Sequence, residues 1–282
     1  MTSMVEAQPR ARAGSAEPWQ LRLFRRTLKK QQKLQVLQAI LGDLAGRRCV
    51  LVTCGDNNGA LNWHLKKTGG EWSWVDAEAE SVEQIGQLTG DPVFRMDKDR
   101  LVLPYADGTF EDVVAIEVHE HLQEPGRLNR ELSRIAAPGG RVIVTTPNGD
   151  ERKLAVRLKR LLGMTPEVYG HVVVGYRIPE LKEQLEAVGL RPYDSRSYSF
   201  FFTEMLELAL NLLYVKVLAK RGRAPVRQGQ IAPQSREQLT SVGKSYRVYA
   251  LVHPILRIVS KLDFLDSSDV GYAVFVAARK GA

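Results

Sequence analysis

The chain has 282 residues, 44% hydrophobic and 26% charged, an ordinary balance for a globular protein with room for one large domain and a sizeable core. Its net charge of +8 suits an anionic partner, or simply solubility. Only two cysteines are present, Cys49 and Cys54, which excludes a disulfide framework and a metal-finger array and fits a reducing cytoplasm.

Residues 1–18 lack an apolar segment and read as a disordered tail rather than a signal peptide. A helical pattern fills 19–45, where Leu21, Phe24, Leu28, Leu34, Leu37, Leu41 and Leu44 recur between Arg25, Arg26, Lys29, Lys30 and Lys33. Strand signals follow at 49–53, 71–76, 92–97, 111–117, 141–147, 190–200 and 271–279. Helical stretches lie between them near 59–67, 79–88, 125–137, 150–163 and 178–188. This alternation predicts an α/β fold with a doubly wound, parallel sheet. The last strand follows no short crossover, so it is expected antiparallel, at or near an edge. Before it come two apolar helical stretches, 200–220 and 245–262, joined by a basic, polar linker. Glu204, Glu207 and Asn211 form a polar stripe on the first. His253, Arg257 and Lys261 stack on the second, with Pro254 starting or kinking it. No run of about 18 uncharged apolar residues is present to span a membrane.

In a doubly wound sheet ligands bind at the carboxyl ends of the strands. The first such turn is Thr53-Cys54-Gly55-Asp56-Asn57-Asn58-Gly59. Gly55 lets backbone approach a ligand, and Gly59 opens the next helix. The second strand ends in Asp76, followed by Glu78, an acidic position suited to ribose hydroxyls. The glycine turn and this acid together point to an adenosine-containing cofactor, and the absence of GxGxxG argues against a dinucleotide.

The longer stretch LPYADGTFEDVVAIEVHEHLQEPGRLNRELSRIAAPGGRVIVTTPN, 103–148, carries Leu103-Pro104, Asp107-Gly108, Phe110, Glu117, Glu120-His121, Pro138-Gly139-Gly140 and Thr146-Pro147-Asn148 in order. As a set these resemble the class I S-adenosylmethionine-dependent methyltransferases of small-molecule type, the methyltransferase type 11-like group. GHVVVGYRIPELKEQLEAVGL, 170–190, resembles that family's His-containing loop and the helix after it. The resemblance implies a seven-stranded Rossmann-like sheet formed by 19–200 plus 270–282, with 201–269 a helical insertion before the last strand. It departs from the family's glycine motif in that Leu51 takes the acidic position and Thr53 the first glycine.

The resemblance further implies S-adenosylmethionine as cofactor, held by Thr53, Gly55, Asp56, Asn57, Gly59, Asp76 and Glu117, with Asp97 or Asp99 near adenine. His121 and His171 are the candidate catalytic bases, because an oxygen or acidic carbon acceptor must lose a proton. His119 and His64 read as structural. Glu117, Glu120 and His121 resemble the metal site of ubiquinone-pathway O-methyltransferases and small-RNA methyltransferases, although a divalent metal is not expected here.

The fourth strand ends in IEVHEH, unlike the motif of nucleobase amino methyltransferases, and no sequence-specific nucleic-acid signature is present. A small acceptor, hydrophobic or cell-envelope-related, is therefore expected in a cytoplasmic protein. The insertion reads as a lid, as a peripheral contact with the inner face of an anionic membrane through 201–262, or as extra core or a dimer interface. The alternative to an enzyme is a noncatalytic adaptor that keeps the fold. The sequence sets no oligomeric state.

Overall fold

A computed structural model describes residues 17–55, 57–218, 236–241 and 243–281. The tail expected over 1–18 (save its last two residues), the site residue Asp56 and most of the basic linker lie outside the described residues.

Seven strands form one sheet in the order β3-β2-β1-β4-β5-β7-β6. They are β1 (Arg48–Thr53), β2 (Glu71–Asp76), β3 (Val93–Arg95), β4 (Phe110–Ile116), β5 (Ala136–Pro147), β6 (Leu190–Tyr198) and β7 (Ala273–Lys280). β1 to β5 pair in parallel, and β7 runs antiparallel between β5 and β6, one place in from the edge. The central strands are apolar on both faces because helices cover both. Val50, Val52, Val113, Ala115, Val142 and Val144 point to one side, against Leu128, Leu132, Leu181 and Leu185 of α5 (Pro125–Ile135) and α7 (Ile178–Glu186). Cys49, Leu51, Val114, Ile116 and Ile143 point to the other. There they meet α1 (Trp19–Phe24), α2 (Leu28–Leu41), α3 (Ala60–Lys66) and α4 (Ala79–Thr89). Leu51, at the family's acidic position, is thus part of this core.

The single helix expected over 19–45 is two. The chain breaks at Arg25–Thr27, where Thr27 is extended and its hydroxyl donates back to the Leu23 carbonyl at 3.1 Å. The break is fixed from outside. Tyr249 donates to the Arg26 carbonyl, and the Arg26 guanidinium donates to the Tyr246 hydroxyl at 2.7 Å. Both tyrosines sit on α10 (Gly243–Ser260), which runs through Pro254. Residues between β6 and β7 also supply α8 (Phe201–Leu212) and α9 (Arg236–Ser241), while α6 (Leu154–Leu161) follows β5. At the amino end of the sheet, fully buried Asp112 accepts from Arg47 Nε at 2.5 Å and from Arg141 Nε, tying β4 to the segment before β1 and to β5.

Candidate active site

A cavity of about 400 Å³ opens at the carboxyl ends of β1, β2, β4 and β5. Its walls come from the first glycine turn, the ends of β4 and β5, α2, α6, the 170s loop and α8. Gly55 lines it with φ of +82°, and an added Cβ there would come within 3.0 Å of the Glu78 side chain. Backbone and the Glu78 carboxyl therefore share one wall.

Asp76 builds that wall from behind. Its Oδ1 accepts from the Gly55 and Glu78 amides at 2.9 and 2.8 Å, and its Oδ2 accepts from the Thr53 hydroxyl at 2.5 Å. It is fully buried, and burial pushes its pKa up to about 6 against the pull of those three bonds. Glu78 is the acid that reaches the cavity, paired with Lys98 Nζ at 2.5 Å. Thr53, the unusual residue at a glycine position, serves the same tie. Asn57 Nδ2 donates to Thr53 Oγ1 and to Asn62 Oδ1, while Asn57 Oδ1 accepts from the Gly59 amide at 3.0 Å. Gly59 has φ of +85° and lies against the α4 backbone, at Ile85 Cα. Asp97 caps the turn after β3, accepting from the Asp99 and Arg100 amides. Both Asp97 and Asp99 are exposed, and Lys98 between them is the residue that lines the cavity.

Glu117 follows β4 with φ of +50°, a conformation that costs a non-glycine residue about 1–3 kcal/mol. Lys33 Nζ stands 2.6 Å from its carboxylate. Burial alone would raise the Glu117 pKa, but Lys33, with Lys29 and Lys30 behind it, holds it down at about 2. Glu117, Lys30, Lys33 and Gly55 line both this cavity and a small pocket beside Thr53 and Asn57. Reading the sequence missed Lys33. The signal was its place at i, i+4, i+8 with Leu37 and Leu41, on the buried face of α2.

His121 and His171 meet at the opposite wall, their rings 4.7 Å apart and perpendicular. The His121 Nδ1–H donates to the Gly170 carbonyl at 2.8 Å, which leaves Nε2 as the basic nitrogen. The loop bearing His171 is held by the Val172 amide, which donates to the Glu120 carbonyl at 2.7 Å, and by the Tyr176 amide on Pro147 O. Burial and then the neighbouring His121 charge push the His171 pKa down to about 3. A neutral imidazole of that kind accepts hydrogen bonds or ligates metal, and is a poor proton sink near pH 7. The expected structural histidines differ from these: His119 is buried on Asn129 Oδ1 at 2.7 Å, and His64 packs on Phe24 and Trp63.

Glu120 is fully buried with neither carboxyl oxygen hydrogen-bonded among the described residues. Burial, then the Glu117 charge, raises its pKa well above the usual range. One ligand atom each from Glu120, His121 and His171 lies within 4.8 Å of the others. The group that the fold gathers at this spacing therefore contains His171 in place of Glu117, whose carboxylate is engaged by Lys33.

The polar stripe of α8 faces this cavity: Glu204, Glu207 and Asn211 all line it. Glu204 is buried, bridging Lys29 Nζ (3.0 Å), Lys159 Nζ and the Ser199 hydroxyl (2.6 Å). Val156, Met164, Val174 and Tyr272 give the same side an apolar floor.

This strand order, with β7 antiparallel and the cavity at the carboxyl ends, is the fold of class I S-adenosylmethionine-dependent methyltransferases. Residues 51–144 match the family model described as a methyltransferase domain. An S-adenosylmethionine-dependent methyltransferase from Thermotoga maritima superposes with a TM-score of 0.55 at 16% identity, over 92% of this chain and 93% of that one. Norajmaline N-methyltransferase from Rauvolfia serpentina is 48% identical over 46 residues, which are 16% of each chain. A ubiquinone biosynthesis O-methyltransferase from Bordetella avium is 24% identical over 201 residues, 67% of this chain and 81% of that one.

Proposed function

We propose that the chain transfers a methyl group from S-adenosylmethionine to a small acceptor. The observation that carries this reading is the cavity bounded by the Gly55–Glu78 wall on one side and by His121 and His171 on the other. When bound, the cofactor supplies an electrophilic methyl on a sulfonium. The chain's own contribution is then chiefly to hold two reactants in line, worth about 7–11 kcal/mol at best. Gly55 would lie against the nucleoside, with Glu78 toward the ribose hydroxyls. Lys33 and Glu117 match the carboxylate and ammonium of the amino-acid end, which makes good the acid lost at Leu51. The acceptor would rest on Val156, Met164, Val174 and Tyr272, and His121 Nε2 would take its proton. An apolar body with an ionisable hydroxyl fits those groups, as the name of the ubiquinone-pathway relative also suggests.

The experiment is calorimetric titration with S-adenosylhomocysteine. Saturable binding with one site supports the enzyme. No heat from folded protein at millimolar ligand favours the alternative, a noncatalytic adaptor.

A second reading, a divalent cation on Glu120, His121 and His171, is favoured by the orphaned Glu120 carboxyl. Ligands on opposite sides of an ion at about 2.1 Å stand at most about 4.2 Å apart, so the three side chains would close only slightly. A cation would lower the pKa of an acceptor hydroxyl. Elemental analysis of protein dialysed against zinc, magnesium or manganese tests it. Stoichiometric metal that Glu120→Gln loses supports the site, and a metal-free protein rejects it.

A further inference from the structure

The outer face of α10 has nothing packed on it among the described residues. Val248, Leu251, Val252, Ile255 and Ile258 are exposed, Leu251 to 81%, and their spacing puts them along one side of the helix. The following 3-10 turn (Lys261–Leu265) adds Phe264, 78% exposed, and Leu265. The inner face is committed elsewhere, through Tyr246 and Tyr249 on Arg26 and through packing on α8. Seven large apolar side chains on one helix and its extension are far beyond the scattered exposure normal for a surface.

The charges on this face point to its occupant. Lys244 and Arg247 lie on the exposed side of α10, and exposed Arg257 and Lys261 flank its carboxyl half. Between 243 and 265 the only acid is Asp263, and it is turned inward, accepting from the Phe200 and Thr203 amides at the start of α8. A second copy seated on a two-fold axis would set this cationic stripe against itself. The linker 219–235 has four cations, no acid, and only Val226 and Ile231 as large aliphatics, so it is ill suited to cover the face. No described helix is long and apolar enough to cross a membrane.

We propose that α10 and its 3-10 extension dock on an anionic lipid surface, with the aliphatic row entering the acyl boundary and Lys244, Arg247, Arg257 and Lys261 meeting headgroup phosphates. This is the physics of an interfacial amphipathic helix, in which apolar insertion and charge attraction act together. It narrows the contact expected over 201–262. α8 turns its polar stripe to the cavity, and the lipid-facing row belongs to α10. The proposal stands apart from the methyl-transfer reading, because it needs no cofactor.

The test is co-sedimentation of the full chain with vesicles of phosphatidylcholine, pure or with half phosphatidylglycerol. The protein is expected to pellet with the mixed vesicles at least ten-fold more than with the neutral ones. The exposed double substitution Leu251→Glu/Ile255→Glu should cut that binding at least ten-fold with an unchanged circular dichroism spectrum. Lys244→Glu/Arg247→Glu should cut it while leaving the aliphatic row intact. Failure of the wild type to pellet with mixed vesicles overturns the proposal. So does sedimentation equilibrium showing a dimer that the Leu251/Ile255 variant dissociates, since the face would then be covered by a second copy.

Discussion

Lys33 and Asp76 are charged side chains whose surroundings reverse what their types suggest. A lysine among leucines on a cationic helix reads as a solvated group, yet Lys33 is 5% exposed and closes on Glu117. Asp76, read as a ribose ligand, spends both oxygens on the turn that precedes the cavity. The residue type and position were legible, but the rotamer was decided by nearby amides that a sequence does not display. The Lys33–Glu117 pair is expected to discriminate between ligands. Lys33→Met should weaken S-adenosylhomocysteine binding about ten-fold or more, the loss of one charge-assisted hydrogen bond. It should leave 5′-methylthioadenosine, which lacks the amino-acid end, unchanged by calorimetry. Equal losses for both would assign Lys33 a structural role only.

Strands and crossover helices were legible because strands buried on both faces are continuous apolar runs and the helices between them repeat every three or four residues. The break at Arg25–Thr27 was not, since no glycine or proline marks it and the tyrosines that satisfy it come from α10. The same dependence on distant segments governs the loop bearing His171. It crosses the end of β5 at Gly175, where φ is +147° and a Cβ would fall 2.0 Å from the Pro147 oxygen. Gly175→Ala is therefore expected to cost at least about 2 kcal/mol in urea unfolding and to lower turnover by displacing the histidine pair. Gly126→Ala, on α5 with no atom near the added carbon, is the control and should be neutral or slightly stabilising. Equal effects at the two positions would mean that the crossing at Gly175 is loose.

Across the molecule, buried carboxylates set the response to acid. The Glu204 pKa is raised by burial, but Lys159 and Lys29 more than offset this and bring it to about 2, well below its ordinary 4.5. Glu117 behaves alike. Each lies lower in the folded than in the unfolded chain, so its stabilisation is complete above pH 4.5 and is lost as the pH falls toward 2. Asp76 has the opposite sign. Raised to about 6 from 3.8, it makes the folded state lose stability as the pH rises through that interval. Glu204→Gln should flatten the fall in Tm between pH 4.5 and 2, measured by scanning calorimetry. A slope identical to wild type would show that the Lys29–Glu204–Lys159 bridge contributes nothing to acid resistance.

The antiparallel placement of β7 bears on the order in which the protein can be made. Among the described residues β6 has no sheet neighbour except β7, and the Thr145↔Phe275 register joins residues far apart in the chain. A nascent polypeptide emerging from the ribosome can assemble β1 to β5 early, while β6 and the helices after it wait for the final hairpin-less closure. During that interval the flank of β5 that β7 later covers is open, and a chaperone has its longest access to it.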